Sequence, residues 1–496
     1  MKTLGQILTT VDPGPVARDL PVEGIEYDSR RVQPGFVFFA FPGKIKDGRE
    51  FAAQAVEKGA VAVVSESGAP PGFPAPWIQV PHGRKALAEM ARLFFDCPDR
   101  KIRLTGVTGT NGKTTTAYVI DQCLRALGRR TGMVGTVEYR VLDEVRPAVN
   151  TTPESLDLAR IFAEVAAGGG TDCTLEVSSH ALELGRVHGF DFHTAIFSNL
   201  TRDHLDFHET MERYFAAKCL LFKGAGGAPP RFAAINTDDE WGRKIEVAHG
   251  VELLTYGLKE GPAIRAIDVE TGIDGLRFVI EWQGGRFPVT SKLTGVMNVY
   301  NLLAAFAALL ALDAGAEQAA EAVSRCPGAP GRFERVDAGQ PFLVVVDYAH
   351  TDDALRNVIR AARRLTQSRV ITMFGCGGDR DKAKRPLMGK AAAELSDYVV
   401  VTSDNPRSED PLLIINDIRV GVQKCDTPFD VIPDRREAIR RTIAEARPGD
   451  VVILAGKGHE NYQVLGSGTI HFDDREAAGE ILASLGYRRN GDGNAN

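Results

Sequence analysis

Residues Gly109–Thr115, with the sequence Gly-Thr-Asn-Gly-Lys-Thr-Thr, have the composition of a loop that binds phosphate. Free backbone N–H groups converge where such a loop meets a helix, and the helix dipole favours negative charge there. Lys113 can reach outer phosphates, and the Thr114 hydroxyl group can bind Mg²⁺. The strict pattern begins with glycine, whereas Val107 stands at that position, so a glycine-rich turn without a ligand is the alternative. We expect ATP to bind here, with contacts from Gly109, Thr110, Asn111, Gly112, Lys113, Thr114 and Thr115.

An acidic strand end and a histidine-rich segment follow the loop along the chain. Glu176 lies in residues 173–180, an apolar run that ends in polar groups. Many P-loop enzymes hold magnesium through an acid on a neighbouring strand; the alternative is a carboxylate that faces solvent. His204 lies among Asp203, Asp206 and His208, which suits a metal or substrate role, with a structural histidine as the alternative.

Lys218 lies within the apolar helical segment 214–222. A lysine in such a segment commonly lays its methylene groups along apolar surface and keeps its amine in water. From the residues alone, we predict this arrangement for Lys218.

The last third of the chain alternates short apolar runs with amphipathic helical patterns. The runs cover residues 342–346, 370–374, 398–402 and 451–455 and predict a doubly wound parallel sheet. A polar motif follows each run; the four motifs are Asp347–His350, Gly375–Arg380, Ser403–Arg407 and Gly456–Glu460. Ligands bind open parallel sheets at that edge, so we expect a small-molecule site there. Arg380 stands where G-x-G-x-x-G needs its last glycine, which argues against a dinucleotide.

Three α/β domains are expected to position these motifs. Residues 1–98 predict an N-terminal mixed α/β domain with short strands at 36–41, 61–65 and 77–80. Residues 99–335 predict a central P-loop ATPase-type α/β domain that begins with the phosphate loop. Residues 336–496 predict a C-terminal Rossmann-like domain, with a disordered tail after Tyr487.

Composition and charge exclude several classes of protein. The net charge of −6 argues against a nucleic-acid-binding protein, which would carry a basic patch. The seven cysteines form no CxxC pair, so neither a disulfide framework nor a zinc site is indicated. No apolar run is long enough to span a membrane, and the N-terminus lacks the apolar core of a secretion signal. We expect a cytoplasmic protein.

Taken in order, these motifs resemble those of the Mur ligase family, the ATP-dependent enzymes that form amide bonds in peptidoglycan synthesis. The matching segments are Gly109–Thr115, Glu176–His180, Asn199–Asp206, Asn298–Asn301, Gly331–Arg332 and Asp347–His350. The resemblance covers essentially the whole chain, and the missing first P-loop glycine is usual in the family. Asp404-Asn-Pro-Arg407 is similar to the recognition motif of members that add meso-diaminopimelate; lysine-adding members carry a different residue where Arg407 stands.

The resemblance implies an N-terminal domain for the UDP moiety, a central domain for ATP and a C-terminal domain for the amino acid. The implied substrates are UDP-N-acetylmuramoyl-L-alanyl-D-glutamate, meso-diaminopimelate and ATP with Mg²⁺. We expect the protein to be a monomer. ATP would convert the D-glutamate γ-carboxylate to an acyl phosphate, which the amine of diaminopimelate attacks. Such phosphoryl transfer relies on positioning and charge neutralisation, which Lys113 and Mg²⁺ would supply.

The resemblance also assigns residues to each ligand. Outside the loop, ATP would contact Asn298, Arg332 and Asp347. The UDP-linked substrate would contact Ser29, Asn150, Thr151, Thr152, Ser178 and Arg186. The segment Lys44-Ile-Lys46 departs from the family, so no uracil contact is assigned to it. The amino acid would contact Arg380, Asp404, Asn405, Pro406, Arg407, Gly456 and Glu460.

Lys218 aligns with the lysine that these ligases carry as an N-carbamate formed with CO₂. Carbamoylation would turn a cation into an oxygen ligand of the kind magnesium prefers. Thr114 and Glu176 would hold one magnesium, and His204 and the modified Lys218 would hold a second. The implied catalytic residues are Lys113, His204 and Lys218.

Three other functions fit parts of the sequence. A lysine-adding Mur ligase and a folylpolyglutamate synthetase share the phosphate loop and the overall plan, although Asp404–Arg407 argues against both. A P-loop regulatory ATPase would hydrolyse ATP without a muramoyl substrate. A ligase should hydrolyse little ATP until both co-substrates are bound.

Overall fold

The computed structural model describes residues 1–43 and 47–488, so Lys44-Ile-Lys46 and the end of the predicted tail lie outside the described residues. The chain divides into two compact units. The first comprises residues 1–265, 281–285 and 300–322; the second comprises 266–280, 286–299 and the described residues from 323 onward.

The α-helices are α1 (Leu4–Ile7), α2 (Pro15–Arg18), α3 (Ala52–Glu57), α4 (Gly83–Phe94), α5 (Lys113–Ala126), α6 (Ser155–Ala167), α7 (Ser179–Glu183), α8 (Leu205–His208), α9 (Met211–Phe222), α10 (Val296–Ala311), α11 (Ala316–Arg325), α12 (Asp352–Arg363), α13 (Lys384–Leu395), α14 (Pro411–Val422), α15 (Arg435–Glu445) and α16 (Asp474–Ser484). Short 3₁₀ turns cover Gly48–Phe51, Pro98–Arg100 and Gly242–Lys244.

The strands are β1 (Lys2–Thr3), β2 (Pro21–Val22), β3 (Gly24–Glu26), β4 (Phe36–Ala40), β5 (Ala62–Ser65), β6 (Trp77–Gln79), β7 (Arg103–Thr108), β8 (Thr131–Val134), β9 (Glu138–Val141), β10 (Glu144–Pro147), β11 (Asp172–Glu176), β12 (Phe192–Phe197), β13 (Phe232–Asn236), β14 (Glu252–Gly257), β15 (Ile264–Gly272), β16 (Gly275–Trp282), β17 (Gly285–Ser291), β18 (Glu334–Val336), β19 (Leu343–Asp347), β20 (Val370–Phe374), β21 (Tyr398–Val401), β22 (Phe429–Val431), β23 (Val451–Ala455), β24 (Tyr462–Leu465) and β25 (Gly468–His471).

The N-terminal region is built on a parallel sheet with the strand order β3-β4-β5-β6. Val37 and Phe39 of β4 enter the main core of the first unit, whereas Phe38 and Ala40 enter a smaller core. This alternation is expected for a strand covered on both faces. The three strands predicted in this region are confirmed, each one residue shorter than expected.

The central sheet of the first unit positions the phosphate loop. The part of this sheet that surrounds the loop has the strand order β10-β9-β8-β11-β7-β12-β13-β14. Strands β11 and β12 flank β7, and both pair with it in parallel. The C-terminal ends of these three strands therefore lie at one edge, which brings Glu176 and Ser198 beside the loop that follows β7.

The second unit contains a six-stranded sheet with the order β18-β19-β23-β20-β21-β22. Leu343 and Val345 of β19 enter one core and Val344 and Val346 enter the other, so apolar layers cover both faces. The expected all-parallel pairing needs one correction, because edge strand β18 is antiparallel to β19. Its three residues are too few to show a periodic pattern.

The three-domain α/β class expected from the sequence is confirmed, whereas the boundaries at 98 and 335 stay predictions. In the part of the chain that the structure describes, no helix combines the length and the apolar character needed to cross a membrane.

Candidate active site

The phosphate loop joins β7 to α5, as the sequence predicts. Gly109 has φ +146° and Gly112 has φ +87°, values that residues with a Cβ atom rarely adopt. A Cβ atom on Gly109 would also lie 1.9 Å from Ser198 Oγ. Gly112 precedes the helix and has no side chain to cap it, so the first N–H groups of α5 stay available to an anion.

Residues after β12 hold the loop in place. Asn199 Oδ1 accepts a hydrogen bond from Asn111 N at 3.0 Å, and Ser198 Oγ donates to Asn111 O at 2.6 Å. Thr110 N donates to Asn199 O at 2.8 Å, and Thr110 Oγ1 lies 3.2 Å from Tyr214 Oη. The loop shape is therefore determined before any ligand binds.

Both lysines of the predicted site reach the same carbonyl group. Lys113 Nζ donates to the carbonyl oxygens of Gly109 at 3.0 Å and Thr110 at 2.8 Å. Lys218 Nζ donates to Gly109 O at 2.7 Å, and this residue is only 1% exposed. The prediction that its amine reaches water is therefore wrong. Burial, and then the charge of Lys113, hold the pKa of Lys218 well below the ordinary lysine value.

Glu176 is fully buried, so the solvent-facing alternative is wrong. Its Oε2 accepts from Thr114 Oγ1 at 3.0 Å and from Thr136 Oγ1 at 3.1 Å. Its Oε1 accepts from Thr136 N at 2.8 Å. Sequence reasoning missed Thr136, which follows β8 and gains its role only because β8 pairs with β11. Carboxylate and hydroxyl oxygens at the start of α5 form a donor set that suits Mg²⁺.

The other two predicted metal ligands differ from this pair. Lys218 bears an amine that is bonded to a backbone carbonyl, and His204 Nε2 lies 3.5 Å from Asp203 Oδ2. Across residues 1–43 and 47–488, no three or more His, Cys, Asp or Glu side chains are grouped to hold a metal ion. The residues present thus fit magnesium at Thr114 and Glu176, and the second metal site stays a prediction.

His204 belongs to a cluster of histidine rings. The centroid of His180 lies 4.9 Å from that of His204 and 5.5 Å from that of His208. His208 is buried, and its Nε2 lies 2.9 Å from Ser179 Oγ. Burial lowers the pKa of His208 to about 4, so this ring is neutral at physiological pH. It packs against the ring of His180.

Several residues expected to hold the UDP-linked peptide lie beside Glu176. Thr152 Oγ1 donates to Glu176 O at 2.8 Å and accepts from Ser178 N at 3.1 Å. Arg186 donates from Nη1 to Thr152 O at 2.9 Å and from Nε to Glu154 Oε1 at 3.1 Å. These bonds bring Thr152, Ser178 and Arg186 together.

Thr151 and Asn150 continue this group. Thr151 Oγ1 lies 3.1 Å from Thr136 Oγ1, which is itself bonded to Glu176. Asn150 O accepts from Tyr139 Oη at 2.6 Å, which anchors the segment to β9. The predicted peptide-binding residues and the predicted metal-binding acid therefore form one connected network.

Ser29 lies in the N-terminal region. Its Oγ donates to Gln54 Oε1 at 2.9 Å, and its carbonyl oxygen accepts from Lys58 Nζ at 3.0 Å. These contacts hold the loop that would meet the uridine group. The segment Lys44-Ile-Lys46, to which no uracil contact is assigned, lies outside the described residues.

The two asparagines of the Asn298–Asn301 motif have different surroundings. Asn298 Nδ2 donates to Thr294 O at 2.8 Å, which closes the start of α10. Asn301 reaches the first turn of α5, where its Oδ1 accepts from Thr116 Oγ1 at 3.3 Å. A Cβ atom on Gly112 would lie 2.4 Å from Asn301 Oδ1. Sequence reasoning placed both asparagines in one motif but assigned ATP only to Asn298 and gave no ligand to Asn301.

In the second unit, Asp347 joins two predicted ATP-binding segments. Its Oδ2 accepts from Phe333 N and its Oδ1 accepts from Ala349 N, both at 2.8 Å. Burial raises the pKa of Asp347, with Arg332 acting in the opposite direction. The Arg332 guanidinium lies 4.9 Å from the ring centroid of Tyr348, and its Nε is buried without a hydrogen-bond partner among the described residues.

Arg407 and Arg380 both approach Gly377. A Cβ atom on Gly377 would lie 2.9 Å from Arg407 Nη1 and 3.9 Å from Arg380 Cγ. Arg407 has φ +55° and donates from Nη1 to Gly378 O at 2.8 Å. Arg380 is exposed and donates to Asp379 O at 3.0 Å. The side chains of both arginines therefore pass close to the same glycine, in loops that carry the predicted amino-acid-binding residues.

Acidic and amide groups lie beside these arginines. Asn405 Nδ2 donates to Glu460 Oε2 at 2.9 Å. Lys457 Nζ donates to Asn405 Oδ1 at 3.1 Å and lies 3.4 Å from Asp404 Oδ1. Sequence reasoning missed Lys457, because a lysine between two glycines is typical of an exposed loop.

Pro406 and Gly456 contribute through their backbones. A Cβ atom on Gly378 would lie 1.9 Å from Pro406 O, so the loops after β20 and β21 approach closely. Gly456 has φ +114°, and its N–H donates to Asp347 O at 3.0 Å. These two positions shape the loops that carry the charged side chains.

Three family models match consecutive parts of the chain. The Mur ligase family catalytic domain matches residues 21–95, the Mur ligase middle domain matches 107–309, and the Mur ligase glutamate ligase domain matches 331–458. The first two models cover most of the first unit and include the phosphate loop, Glu176 and Lys218. The third covers the loops that carry Asp347, Arg380 and Arg407.

Relatives and solved structures agree with this assignment. The chain is 60% identical to the UDP-N-acetylmuramoyl-L-alanyl-D-glutamate--2,6-diaminopimelate ligase of Solibacter usitatus, over 98% of this chain and 99% of that protein. It is 47% identical to the ligase of the same name from Geobacillus thermodenitrificans, over 92% and 94% of the two chains. A solved structure of a ligase of that name has a TM-score of 0.72 and 35% identity, over 98% of this chain and 100% of that chain.

A more distant structure has the same fold. The MurF ligase of Thermotoga maritima in complex with ADP has a TM-score of 0.60 at 20% identity, over 94% of this chain and 98% of that chain. Because similarity to the diaminopimelate ligases extends over nearly the whole length of the chain and includes every predicted site motif, the chain belongs to the Mur ligase family of ATP-dependent ligases.

Proposed function

We propose that this enzyme adds meso-2,6-diaminopimelate to the D-glutamate γ-carboxylate of UDP-N-acetylmuramoyl-L-alanyl-D-glutamate, in peptidoglycan precursor synthesis. The observation that carries the choice of amino acid is that Arg407 and Arg380 both approach Gly377, and that Arg407 acts electrostatically on the nearby Glu460. Paired cations suit a carboxylate, and neighbouring carboxylates suit an ammonium group. Diaminopimelate carries both groups at the end that does not react.

The reaction needs ATP because a carboxylate does not acylate an amine at neutral pH. Transfer of the γ-phosphoryl group to the D-glutamate γ-carboxylate forms an acyl phosphate and releases ADP. The free amine of diaminopimelate attacks the acyl carbon, and the tetrahedral intermediate collapses to the amide and inorganic phosphate. The phosphate loop would hold the nucleotide, and Lys113 would neutralise the charge of the transferring group.

Magnesium would be held by Thr114 and Glu176, whose oxygen atoms already lie 3.0 Å apart. When bound, it neutralises charge on the phosphate oxygens. We propose a second magnesium at His204 and Lys218, with Lys218 present as its N-carbamate. The position of Lys218 supports this modification. Its side chain is buried, and its amine lies beside the phosphate loop instead of in water.

Residues from different regions of the chain would bind the different ligands. Asn150, Thr151, Thr152, Ser178 and Arg186 would hold the muramoyl dipeptide next to the phosphate loop, and Ser29 would contact the uridine group. Asn298, Arg332 and Asp347 would complete the nucleotide site. Asp404, Asn405, Pro406, Gly456 and Glu460 would bind the polar ends of the amino acid. We further propose that the enzyme acts in the cytoplasm as a monomer.

Selectivity against L-lysine follows from the charge of Arg407. Lysine lacks the distal carboxylate, so its binding would leave this guanidinium without an anionic partner. A site built for a polar group can reject the analogue that lacks it by about 10⁴-fold.

The test is amide formation with the UDP-linked substrate, ATP and Mg²⁺, offering meso-diaminopimelate and L-lysine in parallel. We expect product with diaminopimelate and almost none with lysine. Product with lysine would keep the ligase reaction but reject the role given to Arg407. ATP consumption without product from either amine would favour a regulatory ATPase, and glutamate addition to a folate would favour a folylpolyglutamate synthetase.

A further inference from the structure

Lys457 is a buried cation that the proposed reaction leaves without a role. It follows Gly456 in the loop after β23, and its side chain is fully buried. A buried ammonium group is stable only when nearby acceptors replace the water it has lost. Burying such a group reduces the stability of the fold unless its contacts compensate. The groups that Lys457 contacts therefore indicate its role.

Those contacts are to the residues proposed to bind the amino acid. Lys457 Nζ donates to Asn405 Oδ1 at 3.1 Å and to the carbonyl oxygen of Tyr462 at 2.6 Å. It lies 3.4 Å from Asp404 Oδ1 and 3.7 Å from Glu460 Oε2. One amine therefore touches three side chains that come from two different loops.

The bond to Asn405 determines which way its amide group points. Asn405 Oδ1 accepts from Lys457 Nζ at 3.1 Å and from Val464 N at 3.0 Å. The amide nitrogen must then point away from both donors, and it donates to Glu460 Oε2 at 2.9 Å. A lysine has no acceptor, so the reverse orientation would place two donors against each other.

The same amine balances the charge of the acidic pair. Asp404 and Glu460 repel each other, and burial followed by the charge of Asp404 raises the pKa of Glu460. Lys457 lies within 4 Å of both carboxylates and offsets one of their two charges. The three groups together carry one net negative charge, which matches one ammonium group of a bound amino acid.

We propose that Lys457 is a positioning residue for the amino acid: it orients Asn405 and holds Asp404 and Glu460 in place to receive the ammonium group of diaminopimelate. This inference rests on the proposed function, because it takes these three side chains as the amino-acid site. It predicts that loss of the amine weakens binding of one substrate and leaves the other two unaffected.

The experiment compares Lys457→Met with the unmodified protein in the amide-formation assay. Methionine removes the charge and the donors with little change in side-chain length. We expect KM for meso-diaminopimelate to rise at least about tenfold, because misplaced groups bind the substrate poorly. KM for ATP and for the UDP-linked substrate should stay within about twofold of the unmodified protein, and kcat within about threefold.

Lys390→Met is the matched control, since Lys390 lies on the surface of α13 and pairs with Glu394. It should leave all three KM values unchanged. Lys457→Gln retains a donor without the charge, so it should give a smaller rise in KM for diaminopimelate than Lys457→Met.

Three results would overturn the proposal. They are an unchanged KM for diaminopimelate in folded Lys457→Met, an equal rise in all three KM values, and failure of both Lys457 variants to fold. The last would make Lys457 a residue required for folding. Absence of product from the unmodified protein with diaminopimelate would instead reject the proposed function, so the two failures are distinguishable.

Discussion

Lys218 Nζ lies 2.7 Å from the carbonyl oxygen of Gly109, although the two residues are 109 positions apart in the chain. This bond links helix α9 to the first residue of the phosphate loop. The same carbonyl oxygen accepts from Lys113 Nζ at 3.0 Å. Two lysines therefore meet at one carbonyl oxygen of the phosphate loop, and the buried one, Lys218, is the first to test.

Replacing Lys218 with alanine should reduce kcat by at least about 100-fold, because the loop loses a contact and the proposed carbamate cannot form. Small carboxylic acids such as acetate should restore part of the activity by supplying the missing oxygen ligand. The measurement is kcat with and without acid. Lys223→Ala is the control, because Lys223 is exposed at the end of the same helix. Near-normal activity of Lys218→Ala without added acid would reject the carbamate role.

Glu176→Gln should raise the Mg²⁺ concentration needed for half-maximal activity and lower kcat by about 100-fold. The amide preserves the shape of the side chain but removes the charge that faces Thr114 Oγ1 at 3.0 Å. A titration of activity against Mg²⁺ measures both effects. The exposed Glu183→Gln variant should titrate like the unmodified protein. An unchanged Mg²⁺ requirement in Glu176→Gln would exclude Glu176 as a ligand.

Arg407→Ala should raise KM for meso-diaminopimelate by about 100-fold and leave the weak activity with L-lysine almost unchanged. The reason is that only diaminopimelate carries the distal carboxylate that this guanidinium is proposed to bind. The ratio of kcat/KM for the two amines is the quantity to measure. Arg436→Ala, an exposed arginine on α15, should preserve that ratio. Equal losses with both amines would contradict the prediction.

Asp474→Asn should destabilise the protein by about 3–5 kcal/mol, because it leaves the buried charge of Arg435 without its anionic partner. Both side chains are fully buried, and their closest N–O distance is 2.6 Å. The free energy of unfolding of the second unit in urea measures the loss. Glu480→Gln breaks an exposed ion pair between the same two helices and should cost less than about 1 kcal/mol. Similar losses in the two variants would show that burial adds nothing at this pair.

The phosphate loop was predictable because its chemistry is local. The turn glycines, the lysine and the start of α5 all lie within seven residues, and their φ values follow from the residue types. The polar motifs after β19, β20, β21 and β23 were predictable for a related reason: parallel strands end at the same edge of a sheet. Resemblance to a known family then supplied roles for the individual residues.

Lys218 and Lys457 were beyond local reasoning. The apolar pattern around Lys218 predicted an amine in water, whereas the structure buries it against Gly109 O. No sequence pattern assigned a role to Lys457, whereas in the structure its amine touches residues from another strand end. In both cases the acceptors come from distant segments that become neighbours only when the strands pair.

The sequence by itself determined the α/β class, the phosphate loop, the family and most of the residues proposed to bind each substrate. These features depend on residue type and on spacing over a few positions. Only the tertiary structure decided which side chains meet: Thr136 with Glu176, Asn301 with Thr116, and Lys457 with Asp404. Such contacts depend on strand order and on the path of each loop, because hydrogen bonds and ion pairs act over about 3–4 Å regardless of separation along the chain.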